Sequence, residues 1–350
     1  MKRTLLVVLS TLLTLAFVEG VFRVADIDAR LLRRGLYFQN ADLEVHQCST
    51  DPFLHYELKP ASRLQGAGRD GGHTAVNIDT TGARFPAHAV QKDTGTFRIL
   101  CFGGSTMYGA GVSDEETIPA ALEARLNGMA PAVPDEPRRY EVWNFGTSGY
   151  TLGQAAHLAR SKLAKLAPDL IVVQLHNVGR RPYLSPAACD HIEIPRLQDG
   201  GAPFFDEQFP APELIGADLH QTLLRHSAIY RSLIPQTISV ADGSPCEYCN
   251  RLSESEARRL VEEANARGIP VVFVAIPADS RTTAASVFRG LPASRFIHLY
   301  RPGREADFYE IHPPARILDE FAGMLVDELR SRGLLARTSG GRDGDATNQP

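Results

Sequence analysis

Four short segments of the chain place a hydroxyl, an imidazole, an amide and flexible backbone where acyl-transfer chemistry would use them. Gly103-Gly104-Ser105-Thr106-Met107-Tyr108-Gly109 follows an apolar run. Glycines there permit a tight turn that lifts the Ser105 hydroxyl above the end of the run, beside outward-pointing backbone N–H groups, which suits a nucleophile. Asn144-Phe145-Gly146-Thr147-Ser148-Gly149 offers the Gly149 N–H to a developing oxyanion. His176-Asn177-Val178-Gly179-Arg180-Arg181 adds the Asn177 amide as a second donor. Asp307-Phe308-Tyr309-Glu310-Ile311-His312 brings an imidazole that can accept the serine proton, with carboxylates near enough to orient the ring.

Rival uses of the first segment fail on its own residues. Gly104 to Gly109 has the glycine spacing of a phosphate-binding loop, but Ala110-Gly111 stand where lysine and a hydroxyl residue would hold phosphate and magnesium. GxGxxG is absent, and Met107 breaks the GxSxG elbow of α/β-hydrolases. A serine alone in such a turn would only cap it. The three companion segments argue against that reading.

The elements that must hold these segments alternate. Buried strands are expected over 97–102, 140–145, 170–175, 271–276 and 295–299, and helices over 117–126, 152–166, 253–267 and 313–332. Ser253-Glu254-Ser255-Glu256 reads as a capping box and Gly268 as a stop, while Pro313-Pro314 open the last helix. Strands alternating with helices at this spacing imply βαβ units and a parallel sheet covered on both faces. In such sheets ligands bind beyond the carboxyl ends of the strands, where the four segments lie. Two regions fall outside the pattern. Residues 37–95 carry weak strand signals, and the proline-rich stretch 180–250 reads as an insertion shaping a lid or a substrate wall.

The order and spacing of the four segments resemble the SGNH or GDSL hydrolase family, over about residues 97–334. Val76-Asn77-Ile78-Asp79-Thr80-Thr81-Gly82-Ala83-Arg84 also looks like the extension preceding a GGST block in exported members. The resemblance implies a flavodoxin-like three-layer α/β/α sandwich on a mostly parallel five-stranded sheet, and ester hydrolysis or transfer without a metal or other cofactor. It makes Ser105 the nucleophile and an oxyanion donor, Gly149 and Asn177 the other donors, and His312 the base. The chain departs from the family at three places. Gly104 stands where GDS enzymes have Asp, His176-Asn177-Val178 replaces Gly-Asn-Asp, and Tyr309 occupies the acid's place in DxxH. Asp307, ranked ahead of Glu310, would then orient His312, or a backbone carbonyl would do so in a Ser–His dyad. His176 either enters the cleft or packs at its rim. Arg180 and Arg181 either hold an anionic substrate group, lie on a solvated loop or make structural ion pairs. His157 and His298 read as core or surface residues. An O-acyltransferase and a non-catalytic binding module are the alternative readings of the same pocket.

Composition narrows the setting. With 37 Lys+Arg against 41 Asp+Glu and 43% hydrophobic residues, the chain is too apolar for wholesale disorder and shows no electrostatic footprint for nucleic acid. The expected ligand is an ester of a glycan, a lipid or a small molecule. Lys2-Arg3 precede an apolar run from Thr4 to Val18, the pattern of an export signal or uncleaved membrane anchor over residues 1–22, with Glu19 close to its end. An extension over 23–95, a main domain over 96–335 and a polar, disordered tail over 336–350 complete the expected organisation. Of five cysteines, Cys101 lies in an apolar strand pattern and is the expected free thiol; Cys246-Glu247-Tyr248-Cys249, Cys189 and Cys48 supply a disulfide.

Overall fold

A computed structural model describes residues 2–25, 27, 42–51, 53–67, 73–129, 137, 139–180, 215–233, 247–276, 291–292, 295–299 and 312–335. Five strands, β5 (Thr96–Gly103), β6 (Arg139–Gly146), β7 (Leu170–Leu175), β8 (Val271–Ala275) and β9 (Phe296–His298), form one parallel sheet in the order β6-β5-β7-β8-β9. Before it lie two antiparallel pairs, β1 (His46–Cys48) with β2 (Tyr56–Leu58) and β3 (Arg63–Ala67) with β4 (His73–Asn77). The order of the large sheet is the flavodoxin-like 2-1-3-4-5. From β6 the chain passes back over β5 to β7, so the crevice that binds ligands in such sheets opens at the carboxyl end of β5.

The apolar runs become strands because both faces are covered. Every residue of β5 and β7 is buried. Pleating sends alternate side chains to opposite sides. Phe97, Ile99 and Cys101 join the core under α3 (Ile118–Gly128) and α8 (Ala315–Ser331). Leu100 and Phe102 join the core under α4 (Leu152–Leu166) and α7 (Glu247–Asn265). Ala155, Ala156 and Ala159 on α4 and Ala257 and Ala264 on α7 are all buried in that second core, and such small residues let the two helices pack closely. Thr151 caps α4 through a complete capping box with Gln154. The buried positions of α8, Ile317, Leu318, Phe321, Ala322, Leu325, Val326 and Leu329, recur at helical spacing.

The start expected for α7 needs correction. The helix begins at Glu247, six residues before Ser253, so Ser253-Glu254-Ser255-Glu256 is not its cap. The Ser253 hydroxyl instead donates to Val178 O at 2.9 Å, a tertiary contact that no local pattern announces. The described part of the 180–250 stretch is also helical, with α5 (Ala217–His226) and α6 (Ala228–Leu233) before α7. Cys101 is free and buried, as expected, and Cys48 and Cys249 are disulfide-bonded. At the N-terminus α1 (Lys2–Val24) is long and apolar enough to cross a membrane and has no buried residue.

His157 of α4 binds the layers together. Its ring stacks on Phe53 with centroids 4.3 Å apart, while Nε2 lies 2.9 Å from Asp51 Oδ2 and Nδ1 lies 3.1 Å from Glu256 Oε2. Burial alone would lower its pKa. The hydrogen bonds and charges of Asp51 and Glu256 outweigh burial and raise it from 6.5 to about 9. A raised folded-state value stabilises the fold fully below about pH 6.5, and that stabilisation is lost as pH rises through 9. Thermal melts should therefore show the melting temperature falling between pH 6.5 and 9, and His157→Gln should flatten that slope. An equal slope in both proteins would contradict the assignment.

Candidate active site

Gly103 ends β5, and Ser105 opens α2 (Ser105–Tyr108), a single turn of helix. The turn is tight because neighbouring strands crowd it. A Cβ on Gly103 would stand 2.6 Å from Gln174 Oε1, and one on Gly146 would stand 2.3 Å from Tyr108 N. Glycine is therefore required where the ends of β5 and β6 meet α2. Thr147 N donates to Gly103 O at 3.0 Å, which holds the second segment against the first.

Gln174 fixes the turn from beneath. Its Oε1 accepts from Gly104 N and Met107 N, both at 3.2 Å, so one buried amide satisfies two of the orphan donors at the start of α2. Ser105 N–H, between them, donates to no described residue, and the half-buried Ser105 hydroxyl makes no hydrogen bond with one. Sequence reasoning missed Gln174. Its signal was a lone amide inside the otherwise apolar run Leu170-Ile171-Val172-Val173-Gln174-Leu175.

The second and third segments converge on the same place. Gly149 has φ +80°, a left-handed conformation that glycine adopts without strain, and its N–H also donates to no described residue. Asn177 is likewise left-handed, at φ +46°, and its Nδ2 donates to Tyr150 O at 3.2 Å. Arg180 donates through Nη2 to Gly149 O, so its guanidinium fastens the Gly149 turn to the third segment. The first antiparallel pair braces the Gly149 turn from outside: Tyr56 OH donates to Ser148 O at 2.9 Å and Tyr150 OH to Tyr56 O at 2.5 Å.

His176 is held against the first segment by two backbone carbonyls and the open space over Gly104. Its ring nitrogens lie 2.9 Å from Gln174 O and 2.8 Å from Tyr150 O, with the ring against Gly104. A Cβ at position 104 would come within 2.5 Å of the ring. The imidazole therefore fills the room that a side chain at 104 would need. Burial lowers the ring's pKa to about 4 against the two carbonyl hydrogen bonds, which favour the protonated ring. Gly104→Ala should destabilise the protein by about 1–3 kcal/mol through overpacking. The double variant Gly104→Ala/His176→Gly should recover a large part of that loss in a denaturant titration. Additive losses would contradict the coupling.

The fourth segment reaches the described residues only at His312, ahead of α8. Tyr140 OH, at the amino end of β6, donates to Leu335 O just past α8, so α8 ends at the amino edge of the sheet and starts at the carboxyl edge. The half-buried His312 lies three residues before that start, ahead of Pro313 and Pro314. Asp307, Glu310 and Arg181 lie outside the described residues. His298 ends β9 and is exposed.

No protein-family model matches the chain, and no curated protein is significantly similar to it. Solved structures do show likeness. The esterase EstA from Pseudoalteromonas sp. is 12% identical, with 67% of this chain and 97% of that one covered at a TM-score of 0.38. A two-domain esterase active on acetylated mannans is 12% identical, covering 73% and 54% at 0.39. A GDSL-like lipase from Bacteroides thetaiotaomicron is 13% identical, covering 70% and 92% at 0.35.

Proposed function

We propose that the protein is an SGNH-type serine esterase that hydrolyses a carboxylic ester through an acyl-serine intermediate. The observation that carries the reading is the meeting of three strand-end turns beside Ser105, with Ser105 N–H and Gly149 N–H donating to no acceptor among the described residues. In this scheme Ser105 Oγ attacks the ester carbonyl carbon as its proton passes to His312. The new oxyanion is held by Ser105 N–H, Gly149 N–H and the Asn177 amide hydrogen not given to Tyr150 O. Collapse breaks the bond to the alcohol oxygen, which leaves with the proton from His312. Water then repeats the sequence and frees the acid. Asp307 or Glu310 orients His312. The N-terminal helix anchors the domain on the exported side of a membrane.

The test is turnover of a short-chain aryl ester with and without an added polyol. Steady release of the free acid, unchanged by the polyol, is expected. Transfer of the acyl group to the polyol would replace hydrolysis by O-acyl transfer, and absence of turnover by folded protein would favour a binding module.

A further inference from the structure

The end of α1 is fastened to the domain by its two charged residues. Glu19 Oε1 accepts from Ala228 N at 2.7 Å, and Oε2 accepts from Ser227 Oγ at 3.0 Å and Ile229 N at 3.1 Å. Arg23 pairs with Glu19 at 2.8 Å and donates to His226 O. The junction between α5 and α6, where one helix leaves its last carbonyls open and the next its first N–H groups, is thus closed from both sides by residues of α1. A carboxylate so near an apolar span is costly in lipid unless it is paired. Here it has three donors from the domain and one cation.

We infer that the N-terminal helix is retained as a structural part of the protein, and that its Glu19–Arg23 clasp holds the α5–α6 hairpin at the outer lipid–water interface of the membrane. This rests on the reading of α1 as a membrane anchor. The apolar run from Thr4 to Val18 is about 22 Å long at about 1.5 Å per residue, against a hydrocarbon core of about 30 Å. A run that short draws Glu19, and the junction it caps, down to the interface. The surface continues in kind: Val21 and Val24 at the end of α1 are 43% and 90% exposed, and Leu219 and Leu233 on the hairpin are 54% and 53% exposed. Apolar side chains on a helix tied to the end of a span fit burial among acyl chains just below the headgroups. Cleavage of a signal near residue 20 would remove Glu19 and open the junction.

The experiment uses the full chain in phosphatidylcholine–phosphatidylglycerol vesicles containing a lipid with a nitroxide headgroup. A fluorophore is attached at Leu219→Cys, with Val24→Cys as the interfacial reference and Asp327→Cys, exposed on α8, as the distant one. Quenching at position 219 should match that at 24 and exceed that at 327. It should be lost in the Glu19→Ala/Arg23→Ala variant, which should remain in the membrane after carbonate washing. Protein retained in the membrane without quenching at 219, or quenching that survives loss of the clasp, would overturn the inference while leaving the anchor intact. Release of wild-type protein by carbonate, or a mature N-terminus beyond Glu19, would overturn the anchor and the inference together. Neither outcome bears on ester hydrolysis, which Ser105→Ala tests separately.

Discussion

Ser105→Ala should lower turnover by on the order of 10⁴-fold or more while leaving the fold intact. The size follows from what the substitution removes. The hydroxyl is the only atom in the scheme that forms a bond to the acyl carbon, whereas the backbone N–H of residue 105 survives the change and keeps its place in the oxyanion hole. A residual rate above the uncatalysed one is therefore expected from binding and oxyanion stabilisation alone. Structure should be spared because the Ser105 side chain makes no hydrogen bond with a described residue, while the turn itself is held by Gln174. Circular dichroism and the denaturation midpoint should match the parent's. A variant that keeps even a tenth of parental turnover would remove Ser105 from the mechanism.

Arg84→Met should cost about 3–5 kcal/mol, the range for removing one partner from a buried ion pair. Arg84 is fully buried, with Nε at 2.7 Å from Asp114 Oδ1, Nη1 at 2.7 Å from both Tyr108 O and Gly109 O, and Nη2 at 2.7 Å from Val112 O. Methionine fills much of the same volume but leaves a buried carboxylate without its cation and Val112 O without a described donor, while Tyr108 O keeps only Asn144 Nδ2 at 3.4 Å and Gly109 O only Val112 N at 3.3 Å among the described residues. Asp114 would retain only Asn77, which donates from N at 3.1 Å and from Nδ2 at 2.6 Å. Stabilities of ordinary domains are about 5–15 kcal/mol, so the loss is a large share of the total. These carbonyls belong to the last residue of α2 and the turn after it, so turnover should fall even in the fraction that stays folded. Urea titration checks the stability, and Arg84→Met/Asp114→Leu should be less damaged than the single variant. A loss below about 1 kcal/mol would show that the guanidinium is dispensable.

The arginine marks where sequence reading stops. Strands such as Phe97-Arg98-Ile99-Leu100-Cys101-Phe102 were legible because a strand buried on both faces is a continuous apolar run, and the βαβ alternation led to the parallel sheet. The turns that carry Ser105, Gly149 and Asn177 were legible because each follows directly on such a strand. The helix start at Ser253 was misread because a capping box is a local pattern, and here Ser253 is engaged by Val178 O from a distant turn. Arg84 with Asp114, His157 with Asp51 and Glu256, and Glu19 with the α5–α6 junction all join groups far apart in the chain. No periodicity records such pairs. The same holds for Gly104 and His176, whose contact joins positions 72 residues apart.

The most direct measurement of the central claim is the mass of the purified full chain after reaction with a fluorophosphonate, followed by peptide mapping. One adduct on the peptide containing Ser105, absent from Ser105→Ala and suppressed by a competing ester, is the expected result. Folded protein that takes no label, or takes it on another residue, would contradict the assignment of Ser105 as the nucleophile.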